Sequence, residues 1–537
     1  MSKTPRFAKL LKWTPERKGR PLRPIRLMTI INGSNGSALG LDCEITGLTA
    51  DSREVRPGFL FAALPSTVPG GAKDGRAFVA DALGRGAVAV LAPLGTRQLL
   101  GEALPSSVTV IEDATPRQAF AVMAAAFYGR QPETVVAVTG TNGKTSTVQF
   151  ARQLWTQLGF TAAALGTLGL TAPPTLALSG DFGGATMTTP DPVRLHAALA
   201  ALAGAGVDHL AMEASSHGLD QFRLDGVRLR AAAFTNLTRD HLDYHGTMEA
   251  YQAAKAGLFE RVLASDGLAV LNADVPEFQG LAELCGRRGV SVVGYGVAAR
   301  EIAVRSVEPL PHGQRLTLEI LGQPAAVALG LVGRFQAWNA LAALGLVLAA
   351  DPVAAEALRA GQAVPTAVLE PMLAALERLE GVPGRLQPVS GHPNGAAVIV
   401  DYAHSPDALE TVLQALRPHA TGQLVVVFGC GGDRDRGKRP VMGGIAARLA
   451  DRVIVTDDNP RSEDPAAIRR EILAGCPDAE ERGDRATAIR TTVRGLAAGD
   501  LLVIAGKGHE QGQIVGSEIR PFDDVAEART AVTEMAG

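Results

Sequence analysis

The sequence predicts an α/β protein of three domains: a small α/β domain, a central domain built on a mostly parallel sheet, and a C-terminal doubly wound, Rossmann-like domain. Three observations predict it. At 537 residues the chain exceeds what one core can organise, because cores stop growing near roughly 250–300 residues. Short apolar runs alternate with helical stretches along most of the chain, as strands buried on both faces do. One such run, VVAVTG at Val135 to Gly140, leads through a glycine-bearing loop into a helix ending near Gln157.

The first domain, 28–114, carries the runs FLFAAL and AVAVLAP and an Ala-rich helical pattern around Phe78 to Leu83. The central domain, 115–381, opens on an amphipathic helix at Pro116 to Tyr128. It continues through HLAMEA, AAAFTN and LAVLNA. Pro and Gly cluster from Gly381 to Gly395, marking the last boundary. The third domain, 382–537, holds the strands AAVIVDYAH, LVVVFG, RVIVTD and DLLVIAG, with helices at Pro406 to Leu416 and Pro465 to Leu473. It has no GxGxxG fingerprint. The Lys- and Arg-rich stretch 1–27 reads as a solvated tail, or as a start placed upstream of Met28, and is given no function.

Composition excludes several classes. A net charge of −3 supplies no overall attraction to nucleic acid or to an anionic membrane. Cys43, Cys285, Cys430 and Cys476 are scattered and form no CxxC pair, so neither a zinc site nor a disulfide framework is indicated, and a reducing cytoplasm is expected. No apolar run reaches the roughly 18 residues needed to span a bilayer, and no signal-peptide pattern opens the chain.

The sharpest motif is GTNGKTS, comprising Gly140, Thr141, Asn142, Gly143, Lys144, Thr145 and Ser146. Backbone amides at a helix N-terminus bind phosphate oxygens, and the glycines permit close approach. Lys144 suits the β- and γ-phosphates and the Thr145 hydroxyl suits Mg²⁺, although the loop is shorter than the common GxxxxGK[ST] form. Glu213 ends the apolar run HLAME, and His241 follows another such run. A carboxylate and an imidazole near a phosphate loop can hold a second Mg²⁺.

GTNGKTS, MEASSHGLDQFR (Met212 to Arg223) and TNLTRDHLDYHGTMEAY together resemble the Mur ligases, ATP-dependent amide ligases of peptidoglycan precursor synthesis. LVGRFQAWNALAA, VDYAHSPDALE, FGCGGDRDRGKRPVMG, TDDNPRSEDP and AGKGHEQGQ extend the resemblance to the C-terminus, with the closest match among members that add meso-diaminopimelate. It covers the chain from about Leu48 onward.

The resemblance implies ATP activation of the D-Glu carboxylate of UDP-MurNAc-L-Ala-D-Glu to an acyl phosphate, which the amine of meso-diaminopimelate attacks. The three domains would then bind the UDP-sugar, ATP and the amino acid in turn, in a monomer. It assigns Mg²⁺ to Thr145 with Glu213, and a second ion to His241 with a carbamylated Lys255. On the residues alone, Lys255 reads better as a solvated helix lysine paired with Glu249 or Glu260, and only the resemblance favours its modification.

Further ATP contacts would come from Asn339, Arg385 and Asp401, while Gln336, where the family often has Asn, is left out. Ser52, Gly71, Ala72, Lys73, Thr188, Thr189, Ser215, Gln221 and Arg223 would hold the UDP-MurNAc-dipeptide. Arg434, Asp458, Asn459, Pro460, Arg461, Gly506 and Glu510 would hold diaminopimelate. Arg461 offers a planar fork for the second carboxylate, which lysine lacks. Two alternatives share the fold: a folylpolyglutamate synthetase-like ligase and a catalytically silent ATP-binding regulator. The DNPR and GHE elements weigh against the first, and Lys144, Thr145, Glu213, His241 and Lys255 against the second.

Overall fold

The computed structural model describes residues 24–31, 37–39, 42–66, 74–101, 104–176, 187–310 and 313–536. Of the basic stretch 1–27, residues 1–23 lie outside them. Two compact units form. One holds the described residues up to Glu133 with those of Leu165–Asp208 and His217–Val227; the other holds Thr134–Ala164, His209–Ser216 and the chain from Arg228 onward.

The first unit contains a five-stranded sheet in the order Ser37–Leu39, Thr109–Asp113, Ala89–Pro93, Phe59–Ala62, Gly47–Thr49. Only Ser37–Leu39 runs antiparallel to its neighbour. Helix Pro116–Tyr128 begins on a proline, whose missing N–H costs nothing at that position, and is followed by Gly129 at φ 67°. Its Phe120, Met123 and Phe127 pack into one cluster with Leu60, Leu91 and Ile111 of the sheet. The helical pattern at Phe78 to Leu83 is realised as a 3₁₀ turn, Gly75–Phe78, running into a helix of six residues, Val79–Gly84.

In the second unit the larger sheet runs, from His209–Glu213, through Thr134–Thr139, Leu229–Phe234, Leu263–Asn272, Ser291–Gly296, Ile302–Leu310 and Gly313–Ile320 to Gln323–Leu329. The pairs as far as Ile302–Leu310 are parallel. The last two strands are antiparallel. That extension is not read from the sequence, where only the parallel core has strongly apolar runs. Helix Arg334–Ala350 packs on helix Lys144–Gln157 and is buried at Gln336, Ala337 and every position from Asn339 to Ala350. Its apolar character all round follows from that burial. No single helix among the described residues is long and apolar enough to cross a membrane.

A six-stranded sheet completes the unit, in the order Gln387–Val389, Ala397–Asp401, Leu501–Ala505, Leu424–Phe428, Arg452–Val455, Glu480–Glu481. Apolar side chains cover both faces. Leu409, Leu413, Phe428 and Met442 gather in one cluster, and Val425, Ile454, Ile489 and Val493 in another. This is the expected doubly wound arrangement, and the carboxyl ends of its strands carry Tyr402, Gly429, Thr456 and Gly506.

Arg485 ties two of those ends together. Its guanidinium meets Asp524 in two bonds of 2.8 Å, with both side chains fully buried. It also donates to the carbonyl of Ala505 at 3.0 Å and that of Asp457 at 3.4 Å. Removing the carboxylate strands a buried cation, so Asp524→Ala is expected to cost about 3–5 kcal/mol. A urea titration measures it; a loss under about 1 kcal/mol would mean that water or another group replaces Asp524.

Candidate active site

Strand Thr134–Thr139 delivers the phosphate loop to the carboxyl edge of the larger sheet. Gly140 (φ 144°) and Gly143 (φ 88°) adopt conformations that side chains rarely reach. Space forbids a side chain as well. A Cβ at Gly140 would lie 1.9 Å from Thr235 Oγ1, and one at Gly143 would lie 2.3 Å from Asn339 Oδ1. The Thr141 and Asn142 amides donate to the carbonyl and Oδ1 of Asn236, at 2.8 and 2.9 Å. These two amides fix the loop, which leaves the first turn of helix Lys144–Gln157 to offer its amides to an anion.

Three elements meet at Thr145. Its hydroxyl donates to Glu213 Oε1 at 3.0 Å, and Arg385 Nη2 reaches it at 3.3 Å. Glu213 sits buried at the end of its strand because His209–Glu213 pairs in parallel with Thr134–Thr139. Arg385 stacks over Tyr402, 4.3 Å from the ring centroid. A hydroxyl beside a carboxylate supplies two oxygen donors, which fits a Mg²⁺ ion that completes its shell with water and phosphate oxygens.

Lys255 is buried, which excludes the solvated-helix alternative; its Nζ donates to the carbonyl of Gly140 at 2.7 Å. Lys144 Nζ donates to the same carbonyl at 2.9 Å and to that of Thr141 at 2.7 Å. Burial, and then the neighbouring Lys144, push the Lys255 ammonium well below its ordinary range. Lys255 lies 4.3 Å from the centroid of Tyr251, and the His241 ring meets Tyr251 edge-on at 6.2 Å. Helix Met248–Gly257 explains the first contact, since residues four apart share a face. Desolvation first, then the charges of Lys144, His404 and Lys255 against Asp240, bring the His241 pKa down to about 4. The imidazole is therefore neutral at pH 7 and able to ligate a metal.

Asn339 is buried beside Gly143 and donates to Gln336 Oε1 at 3.0 Å. Both oxygens of Asp401 accept backbone amides, Oδ1 from Ala403 at 2.8 Å and Oδ2 from Leu386 at 2.7 Å, so this carboxylate clamps the turn that carries Arg385. Burial raises its pKa above the usual carboxylate value. Asn142 Nδ2 reaches Asp407 Oδ2 at 2.9 Å, joining the loop to helix Pro406–Leu416.

A second group gathers at the carboxyl ends of the six-stranded sheet. Arg461 (φ 51°) donates from Nη1 to the carbonyl of Gly432 at 2.8 Å, and its Nε and Nη2 take no hydrogen-bond partner among the described residues. A Cβ on Gly432 would lie 1.9 Å from the Pro460 carbonyl oxygen, and one on Gly506 would lie 2.7 Å from Asp458 Oδ2. Asn459 Nδ2 donates to Glu510 Oε2 at 2.9 Å. Arg434 is exposed on the loop between Gly432 and Lys438.

In the first unit, a cavity of about 840 Å³ is lined by Asp51, Arg53, Arg117, Arg194, Gln221 and Arg223, among others. Arg223 donates to the Thr189 carbonyl and to Gln221 Oε1, both at 2.8 Å. The Thr188 and Thr167 hydroxyls lie 3.1 Å apart. Ser52 is buried, and its hydroxyl bonds Asp81. Ser215 belongs to the second unit, two residues past Glu213. Gly71, Ala72 and Lys73 lie outside the described residues. Sequence reasoning missed Tyr251, Tyr402 and Asp407. Only Tyr251 left a signal, its spacing of four from Lys255.

Comparison with known proteins agrees with this geometry. The sequence matches the Mur ligase middle domain over residues 138–347 and the Mur ligase, glutamate ligase domain over residues 384–508. The chain belongs to the Mur ligase family. A relative from Caulobacter vibrioides, named UDP-N-acetylmuramoyl-L-alanyl-D-glutamate–2,6-diaminopimelate ligase, is 51% identical over 491 residues, 91% of this chain and 96% of its own. A Mesorhizobium japonicum protein of the same name is 49% identical over 495 residues, 92% of this Mur ligase and 96% of its own. A solved structure under that name aligns with a TM-score of 0.63 at 33% identity, covering 92% of this chain and 96% of that one. Folylpolyglutamate synthase of Mycobacterium tuberculosis, solved with ADP and AMPPCP, shares the fold at 22% identity and a TM-score of 0.58, over 78% of this chain and 94% of that one.

The double constraint on Gly143 is testable. Gly143→Ala is expected to weaken binding of a non-hydrolysable ATP analogue by about 1–3 kcal/mol, measured by titration calorimetry. Unchanged affinity would mean that the loop relaxes around a methyl group.

Proposed function

We propose that this Mur ligase joins meso-diaminopimelate to the D-Glu γ-carboxylate of UDP-MurNAc-L-Ala-D-Glu, consuming ATP, as a monomer in the cytoplasm. The three functional domains are 28–114 for the UDP-sugar, 115–381 for ATP and 382–537 for the amino acid. One observation carries the reading: within one compact unit, Thr145, Glu213 and Arg385 converge on a phosphate loop, while Asn459, Arg461 and Glu510 gather at the ends of the smaller sheet. The relatives at about half identity support the choice of substrates.

The reaction needs the carboxylate to take the γ-phosphoryl group, ADP to leave, and an amine to displace phosphate from the acyl carbon. Lys144 and the first-turn amides hold the phosphates, and Arg385 offsets charge on the transferring group. Thr145 and Glu213 would hold one Mg²⁺; His241 and Lys255 would hold another. Bound Mg²⁺ neutralises phosphate charge. Asn339 packs against the loop at the adenine side, and Asp401 acts through the Arg385 turn, with the ribose as its further partner. Ser52, Gly71 to Lys73, Thr188, Thr189, Ser215, Gln221 and Arg223 serve the UDP-MurNAc-dipeptide. The arginines of the 840 Å³ cavity suit its anionic groups.

The depressed basicity of Lys255 supports its carbamylation. A neutral amine attacks the carbon of CO₂, forms the N–C bond and releases a proton, leaving an anionic carbamate in place of a cation. At the amino-acid site, Arg461 keeps donors in hand for the second carboxylate of diaminopimelate, and Glu510 supplies the counter-charge for an ammonium. Arg434, Asp458, Pro460 and Gly506 shape the same pocket.

An assay of amide formation from UDP-MurNAc-L-Ala-D-Glu and ATP, run in parallel with meso-diaminopimelate and L-lysine, tests the reading. Product with diaminopimelate is expected, favoured over lysine by roughly 10² to 10⁴ in kcat/KM. No product with either overturns the assignment. Lys255→Ala is expected to be nearly inactive and partly restored by a short-chain carboxylate; full activity without additive would remove the carbamate from the mechanism. Arg461→Ala is expected to narrow the diaminopimelate-to-lysine ratio, chiefly by harming diaminopimelate, with Arg461→Lys intermediate because it keeps charge and loses the fork. An unchanged ratio would place specificity elsewhere.

A further inference from the structure

Lys507 stands two residues beyond strand Leu501–Ala505 with its side chain fully buried, so it cannot itself touch a ligand. Its ammonium has two acceptors, Asn459 Oδ1 at 2.9 Å and Glu510 Oε2 at 2.9 Å. The first bond settles which way the Asn459 amide faces. Oδ1 already accepts the amide of Ile514 at 3.0 Å, so with two donors on that side the Nδ2 must turn to Glu510 Oε2, which it meets at 2.9 Å. The three side chains close a triangle. Both bonds to Glu510 fall on Oε2; Oε1 accepts none among the described residues, and the Glu510 side chain is 34% exposed. One oxygen is fixed by the protein and the other is left for a ligand.

The charges require the same ammonium. Asp458 is buried next to this triangle, and against the desolvation that would raise its pKa, Lys507 and then Arg485 hold it below the usual carboxylate value. Without Lys507, Asp458 and Glu510 would lose a cation between them, and Asn459 would lose the donor that fixes its orientation.

We infer that Lys507 is a positioning residue, locking Asn459 and Glu510 in the arrangement in which Glu510 Oε1 meets the ammonium of the incoming diamino acid. This rests on the reading of Asn459 and Glu510 as diaminopimelate ligands. Arg461 and the outer oxygen of Glu510 confer recognition; Lys507 acts behind them, through the buried Asn459, on geometry. Its removal should therefore change amino-acid affinity and leave the nucleotide side alone.

The test is steady-state kinetics of Lys507→Met, Glu510→Gln and the double variant, with thermal unfolding as a check on folding. Lys507→Met is expected to raise KM for meso-diaminopimelate about 10- to 100-fold, with KM for ATP and for UDP-MurNAc-L-Ala-D-Glu within about twofold of the parent. Because Lys507 acts through Glu510, the double variant should lie within about twofold of the weaker single variant. Lys507→Gln, which keeps a donor and drops the charge, should fall between parent and Met; it substitutes if the Met variant does not accumulate. A raised KM in Glu510→Gln with an unchanged KM in Lys507→Met or Lys507→Gln overturns the inference alone. Additive losses, or equal rises in KM for all three substrates, assign Lys507 a merely structural role and overturn it too. An unchanged KM in Glu510→Gln overturns the reading of the site itself, and this inference with it.

Discussion

Two lysines share one carbonyl oxygen. Lys144 and Lys255 both donate to Gly140 O, at 2.9 and 2.7 Å, inside a site walled by the larger sheet and by Tyr251. Two ammonium groups so close repel, and Lys255 is buried besides, so the system relieves this by giving up a proton or by gaining an anion. Everything around the loop serves that balance. Desolvation lowers the Lys144 pKa, Glu213 and Asp240 favour its charge, Arg385 opposes it, and a nucleotide triphosphate would bring the missing negative charge. Burial and the neighbouring Lys144 push the Lys255 ammonium well below its ordinary range, which gives it a chemistry different from that of an ordinary lysine.

The second site is organised by the same physics with the opposite outcome. Lys507 is as buried as Lys255, but it meets Glu510 and has Asp458 nearby, so its charge is compensated. Glycines fit the neighbouring loop. A Cβ on Gly432 would meet the Pro460 carbonyl, while Gly431 and Gly506 leave room that Arg461 Nη1 and Asp458 fill. The motif GCGGDRD is thus a packing requirement of the loop that carries Arg461, as much as a part of the pocket.

How much of this the sequence disclosed depends on range. Helices Pro116–Tyr128, Pro406–Leu416 and Pro465–Leu473 were legible to the residue, because each begins with a proline after a residue suited to a cap, and apolar spacing fixes the rest. The loop and Glu213 were legible because strand ends are where such sheets place ligands. The antiparallel strands Gly313–Ile320 and Gln323–Leu329 were not, since the first alternates polar with apolar residues instead of forming an apolar run, and the second carries Pro324 and three alanines where large apolar side chains would mark a strand. Nor could local pattern foretell that Asn142 meets Asp407, 265 residues away, or that Asp401 spends both oxygens on a turn. Those are facts of tertiary packing, with no period to betray them.

Helix Arg334–Ala350, apolar on every side, has a consequence for how the chain is made. Exposed to water, it would be a sticky segment of seventeen residues. Its main partners, helix Lys144–Gln157 and the strands from Leu229–Phe234 to Ser291–Gly296, precede it in the sequence, while helices Pro352–Ala360, Thr366–Glu377 and Pro406–Leu416, which also touch it, follow. During synthesis, which proceeds from the N-terminus, the ribosome releases this helix only after most of its docking surface has emerged. The order of elements along the gene therefore protects the most aggregation-prone stretch of the central sheet's cover, and a circular permutation that placed Arg334–Ala350 first would keep every native contact while forfeiting that protection.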